Sequence, residues 1–452
     1  MIRDRIRDFL SRLTISAPVR NKMMKEWSSE ENFLHQRFDK EEARKKEGRL
    51  HEIFYFHKID DPYSHLTIQI IDKLEQNYNV VLTPFLVGDT GGDSIPEPSM
   101  FLKHCLKDAI EIAPHYGLKF NSRDYPPTEK FIQANQYLSG FVNTPIFLER
   151  AKKVSFLLWN NEDQDFDNNE FVNLLPADQT SNVLSEGNQK LSECGYYFGS
   201  SFHYEGENYW GIDRLDHLEE RLTELGTKKN NVSDFILKRI EIVSTPASSG
   251  IEKEKFNLEF FPSLNSPYTY ISFKRVREIA NKYPVNLKVK PVLPMIMRGM
   301  KIHPNKGKYV LSDAAREGRK YGTKIKDIYS PIGAPARKAY SLFEIIDKNN
   351  KGFDFLEELT KASFFDGINI GDEKFLDKLI TKLDLSWRKV KAELNNDRWE
   401  AQLDENLKNM YAGNCWGVPT LKLTNKDGSN PYYKWGQDRL WLIENEIVKR
   451  MN

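Results

Sequence analysis

The chain has 452 residues, enough for two or three domains with cores of their own. Hydrophobic residues at 39%, charged residues at 29% and a formal net charge of +1 describe a soluble protein, with no electrostatic footprint for nucleic acid or an anionic membrane. No apolar run is long enough to span a bilayer, and no charged start leads through a short apolar core to a small-residue cleavage site, so the expected address is the cytoplasm.

Residues 1–50 are strongly charged. Ile2, Ile6, Phe9, Leu10 and Leu13 recur at helical spacing, which predicts an amphipathic surface helix that ends at Pro18. The acids among its arginines argue against a targeting peptide. The Glu/Lys/Arg-rich stretch from Lys25 to Arg49 predicts a second, solvated helix or arm.

Beyond it the chain repeats itself. Asp61-Pro62-Tyr63 matches Ser266-Pro267-Tyr268, and Val80-Val81-Leu82-Thr83-Pro84 resembles Leu287-Lys288-Val289-Lys290-Pro291. Leu106-Lys107-Asp108-Ala109 with Tyr116-Gly117 matches Leu311-Ser312-Asp313-Ala314 with Tyr321-Gly322, and Tyr209-Trp210-Gly211-Ile212-Asp213-Arg214-Leu215 matches Lys434-Trp435-Gly436-Gln437-Asp438-Arg439-Leu440. Four matches in one order predict a duplication. Each unit reads as β-α-β, a long helical stretch, two short strands and a closing helix, a mixed sheet covered by helices. The expected organisation is a charged helical extension over 1–50, a first domain over 51–226, a linker over 227–254 and a second domain over 255–452. Thr245-Pro246-Ala247-Ser248-Ser249-Gly250 is the most linker-like part of that third segment.

In the second unit an apolar strand, Phe260-Phe261-Pro262, runs into Ser266-Pro267-Tyr268. Ser is a preferred N-cap and Pro a preferred first helical residue, so the Ser266 hydroxyl should stand at a helix N-terminus, where free N–H groups and the dipole favour a thiolate. The plainer reading is that Ser266 is a cap and nothing more.

Phe-Phe-Pro-Ser-Leu-Asn-Ser-Pro-Tyr-Thr at 260–269, Lys-Pro-Val-Leu at 290–293, Gly417-Val418-Pro419-Thr420 and Trp435-Gly436-Gln437-Asp438-Arg439-Leu440 together resemble the thioredoxin-fold group of DsbA-like oxidoreductases, kappa-class glutathione transferases and 2-hydroxychromene-2-carboxylate isomerases. The resemblance extends over nearly all of 255–452 and implies an α/β protein of two tandem thioredoxin-like domains, each with a helical insertion. It further implies a glutathione-dependent isomerase or transferase for a small aromatic or unsaturated acid. There the thiolate of glutathione adds to a conjugated double bond, permits rotation and is eliminated. By resemblance Ser266 is the catalytic residue that hydrogen-bonds the sulfur, Val418 and Pro419 present backbone to glutathione, and Gln437 and Asp438 hold its γ-glutamyl end. Tyr268 and Arg298 are the candidate substrate contacts. For Asp438 and Arg439 the alternative is an N-cap and an exposed ion pair.

Two departures stand against the transfer. The loop Met295-Ile296-Met297-Arg298-Gly299-Met300-Lys301 lacks the family's Gly-Asn glutathione contact, so that Arg298 or Lys301 would hold a different acidic ligand. In the first unit Asp61 replaces the serine and Gly199-Ser200-Ser201-Phe202 replaces Gly-Val-Pro-Thr, which reads as a degenerate copy. The alternative function is a non-catalytic binding or scaffold protein. A disulfide oxidoreductase is disfavoured, because Cys105, Cys194 and Cys415 include no C-x-x-C pair.

No metal site is expected. Asp347 to Glu358 has calcium-loop spacing, but Lys351 stands where an oxygen ligand is needed. The acidic run Glu162 to Asp167 lacks the loop's glycine, and His51, His57 and His65 have no second ligand group. Because enzymes of this resemblance pair as homodimers, the two units are expected to form a pseudo-dimer within a monomeric chain.

Overall fold

The computed structural model describes residues 17–90, 95–160, 174–240, 254–300 and 304–451. The helix expected over Ile2 to Leu13, the Thr245–Gly250 linker and the acidic run from Glu162 lie outside them, as does Lys301. The chain divides into an N-terminal unit, 35–240, and a C-terminal unit made of 1–34 and 241–452.

In the N-terminal unit β1 (Glu52–His57), β2 (Val81–Leu86), β3 (Ser201–Tyr204) and β4 (Glu207–Trp210) form one sheet in the order β2-β1-β3-β4. β1 and β2 are parallel, whereas β3 is antiparallel to both β1 and β4. β1 is central, and Ile53, Tyr55 and Phe56 on it are fully buried. Residues 227–240 belong to this unit. Asn79 N–H donates to Thr227 O at 2.8 Å, and Ile236 N–H donates to the buried Glu219 carboxylate at 2.9 Å.

The C-terminal unit repeats the pattern with β5 (Phe256–Phe261), β6 (Val285–Val289), β7 (Thr420–Asn425) and β8 (Tyr432–Trp435), ordered β6-β5-β7-β8 with the same strand senses. On β5 the period-two pattern sends Phe256, Leu258 and Phe260 into the core, and Phe260 meets Phe273 edge to face at 5.1 Å. Glu259, on the opposite face, pairs with Lys422 on β7 at 3.0 Å. The Pro267–Lys282 helix follows, with Phe273, Val276 and Ile279 on the core face and Tyr270 and Ile271 turned to a second cluster. It stops at Tyr283, whose extended backbone is what a residue preceding Pro284 adopts. Burying a side chain such as Phe260 contributes about 1.5–3 kcal/mol.

Pro18 stands in the first turn of a helix, Ala17–Ser28, and a second helix spans Glu30–Lys46. The charged stretch does not form one body. Met24 and Trp27 pack on the cluster of Leu311, Ala314 and Ile325, and Trp27 O accepts from the Ser312 hydroxyl at 3.2 Å, so residues 17–34 belong to the C-terminal unit. Farther along, Arg37 pairs with Glu207 at 2.8 Å in the N-terminal unit. Among the described residues no helix is long and apolar enough to cross a membrane.

Candidate functional site

The site is assembled where the ends of three C-terminal strands meet. Phe261 at the end of β5 lies opposite Thr420 at the start of β7, so the loop 262–266 and the Val418–Pro419 turn share one end of the sheet. β6 is parallel to β5 and delivers the Met295–Arg298 turn to that same end.

The loop before Ser266 is held from several sides. Val292 N–H donates to Pro262 O at 2.9 Å. The buried Tyr340 hydroxyl accepts from Leu264 N–H at 3.3 Å and donates to Val292 O at 3.1 Å. Asn265 accepts from the Ser330 hydroxyl at 3.0 Å. Ser266 follows in extended conformation, half-buried, and its Oγ accepts from Thr269 N–H at 3.1 Å. Pro267 occupies the first turn, as the cap reading expects.

Across the sheet end the Val418–Pro419 peptide is cis. Gly436 N–H donates to Pro419 O at 2.9 Å, and the Thr420 hydroxyl donates to Gly417 O at 2.8 Å. Gly417 has a steric reason to lack a side chain, because a Cβ there would lie 2.3 Å from the Trp435 indole nitrogen. The Val418 side chain packs with Phe261 and Val292, and among the described residues neither its N–H nor its C=O has a hydrogen-bond partner.

Two cations converge on Trp416, two residues ahead of Val418. Arg298 donates to the Tyr411 hydroxyl at 3.1 Å and reaches Trp416 O at 3.5 Å, while Lys306 Nζ lies 4.9 Å from the Trp416 ring centroid. Burial pulls the Lys306 ammonium down to about 8. Trp416 itself is 2% exposed, and its Nε1–H has no partner among the described residues.

Residues 257–448 match a family model described as a DSBA-like thioredoxin domain. This stretch is a DsbA-like thioredoxin domain. No curated protein matches the chain. Solved structures similar to it include a 2-hydroxychromene-2-carboxylate isomerase, at 19% identity and TM-score 0.36, covering 43% of this chain and 96% of that one. Another is a putative protein disulfide isomerase from Nitrosomonas europaea, at 14% identity and TM-score 0.36, covering 44% and 100%. A third is the cytosolic disulfide reductase DsbM from Pseudomonas aeruginosa, at 15% identity and TM-score 0.31, covering 43% and 100%.

In the DsbA-like domain the sequence-derived candidates separate into two groups. Ser266, Val418, Pro419 and Arg298 stand at one end of the sheet. Gln437 corrects the expectation: at 1% exposure its amide donates to Glu317 at 2.7 Å and to Asp438, and it accepts from Arg275. An amide set between a guanidinium and a carboxylate satisfies both inside the protein, so Gln437 is a structural link and is not presented to a ligand. Tyr268 is likewise engaged, its hydroxyl donating to Asp313 at 2.7 Å. Sequence reasoning missed Lys306 and Trp416; the aromatic beside Gly417 was a signal for the second, and nothing marked the first.

Ser266 and Thr269 put hydroxyls at both ends of Ser-Pro-Tyr-Thr, which leaves no dithiol at this helix start. The donor set fits an anionic thiol peptide at its sulfur, its backbone and its carboxylates, through Ser266, Val418, Arg298 and Lys306. At the ammonium end both members of the expected pair are engaged within the protein, the Gln437 amide donating to Glu317 and to Asp438.

Proposed function

We propose that the C-terminal unit is a glutathione-dependent isomerase or transferase acting on a small aromatic or unsaturated acid. The observation that carries this reading is the state of Ser266. Its oxygen is occupied by the Thr269 N–H, which leaves the hydroxyl proton for a further acceptor at the head of a 16-residue helix. A thiolate is such an acceptor, and the helix dipole favours its charge over the neutral thiol.

Glutathione supplies the sulfur nucleophile when it is bound. The chain's residues do the rest: Ser266 holds the sulfur in its ionised form, and the open peptide groups of Val418 orient a peptide laid along them. Arg298 and Lys306 answer carboxylates, whether of the peptide or of an acid substrate. An anion beside Lys306 restores the ammonium that burial disfavours. The setting we assign is the cytoplasm, where thiols stay reduced; the three cysteines, all free, agree with it. We also take the shared strand order of the two units as the mark of a duplication.

The inward amide of Gln437 favours a second reading, a non-catalytic scaffold protein that kept the fold after losing the glutathione site. Calorimetric titration of glutathione into the full chain separates the two. Saturable heat supports the enzyme; no heat and no thermal shift supports the scaffold.

A further inference from the structure

The N-terminal unit carries a cavity of about 340 Å³ at the position that answers to the Ser266 site. Asp61 stands there as Ser266 does in the other unit, capping a helix that begins with Pro62. Asp61 and Lys58 lie at the polar side of the cavity, and Phe101, Cys105, Tyr125, Phe198 and Trp210 are among its walls. The aromatic walls are fixed by one another: Phe101 stacks on Phe198 at 5.2 Å, and Phe198 meets Trp210 at 5.6 Å. A volume of this size with mainly apolar walls and a few converging polar groups is what small-molecule sites offer.

The charges decide what would enter. Among the described residues one ammonium, Lys58, faces three carboxylates, Asp60, Asp61 and Asp89. Lys58 is already paired with Asp60 at 2.7 Å and Asp89 at 2.9 Å. Asp61 accepts from Tyr63 N–H, Ser64 N–H and the Ser64 hydroxyl at 3.0 to 3.2 Å, and among the described residues no cation lies within ion-pair distance of it. We propose that this cavity binds a small organic amine with an aromatic body, the ammonium pairing with Asp61 and the ring lying among Phe101, Phe198 and Trp210. Aromatic faces add attraction for the cation itself. Burial pushes the Asp61 carboxyl up to about 6 in spite of the Lys58 ammonium and the Ser64 and Tyr63 donors, so a carboxylate there has a cost that a bound cation offsets. A carboxylate ligand would instead meet the excess negative charge.

The test uses the full chain with phenethylamine, phenethyl alcohol and hydrocinnamate, three ligands of one body and different charge, followed by calorimetry and saturation-transfer NMR. The amine should bind saturably, and the alcohol and the acid at least about tenfold more weakly. Asp61→Asn keeps a side chain that caps a helix and should weaken the amine by about tenfold or more while leaving the alcohol unchanged. Leu102 is 45% exposed on the rim, so Leu102→Trp narrows the cavity without touching the core and should weaken all binding. The proposal is overturned if the acid binds the wild-type chain as well as the amine does, if no probe binds, or if folded Asp61→Asn retains full affinity for the amine.

Discussion

The hydroxyl of Tyr268 donates to the buried carboxylate of Asp313 at 2.7 Å, and Tyr63 makes the same bond to Asp108 at 2.8 Å, each pair separated by 45 residues. Two of the repeated motifs in the sequence are therefore the two halves of one contact: Pro-Tyr at the first helix start meets the Asp-Ala of the helix after the second strand. In the C-terminal unit Arg316 adds a second bond to Asp313 at 2.6 Å.

Tyr268→Phe should accordingly act on stability and not on ligand binding. Losing a hydrogen bond to a buried charged group costs about 1.5–3 kcal/mol, and Arg316 keeps the loss near the lower end. Denaturant unfolding measures it, with glutathione affinity followed in parallel. Unchanged stability with weakened affinity would return Tyr268 to the substrate.

Trp27→Ala should destabilise the C-terminal unit by about 2–3 kcal/mol, because Trp27 closes the cluster of Leu311, Ala314 and Ile325 from outside. A wild-type level of stability would mean that the Ala17–Ser28 helix contributes nothing to that unit's core.

Glu219 gives a pH signature to the N-terminal unit. Burial pushes its carboxyl up to about 7, although Tyr78 and Ile236 donate to it at 2.9 Å. The folded value lies above the ordinary one of 4.5, so the linked stability is full below that pH and is lost as pH rises through about 7. Glu219→Gln should therefore flatten the fall of melting temperature across this window. Parallel profiles for wild type and variant would show that Glu219 titrates normally.

Lys306 works in the opposite direction on the pH axis. Its folded value of about 8 lies below the ordinary 10.5, so the linked stability is present above 10.5 and lost as pH falls through about 8. Lys306→Met should remove that alkaline gain in thermal melts. At neutral pH it should also weaken binding of a carboxylate ligand by about tenfold, since one charge-assisted contact is lost. An unchanged alkaline profile would mean that the ammonium is well hydrated.

The backbone of this site was legible in the sequence, because local chemistry determines it. Ser266 before Pro267 specifies a cap, and alternation along Phe256 to Phe260 specifies a strand that buries one face. What could not be read depends on contacts between distant residues. Gln437 is drawn inward by Arg275, 162 positions away, and by Glu317, 120 away, which no local pattern encodes. Trp27 joins a core assembled from residues beyond 268, so the charged start of the chain read as a separate extension. Asp61 read as the mark of a degenerate copy from its charge alone, and the aromatic walls of the cavity beside it come from residues as far along the chain as Phe101 and Trp210.

The central claim, that Ser266 holds an ionised sulfur, is tested most directly by titrating the thiol of bound glutathione through its ultraviolet absorbance in the wild type and in Ser266→Ala. The wild type should hold the thiol well below its free value. Ser266→Ala should raise it by about one to two pH units, the equivalent of one hydrogen bond to a charged group of about 1.5–3 kcal/mol. The same titration curve in both proteins would remove Ser266 from the chemistry and contradict the account.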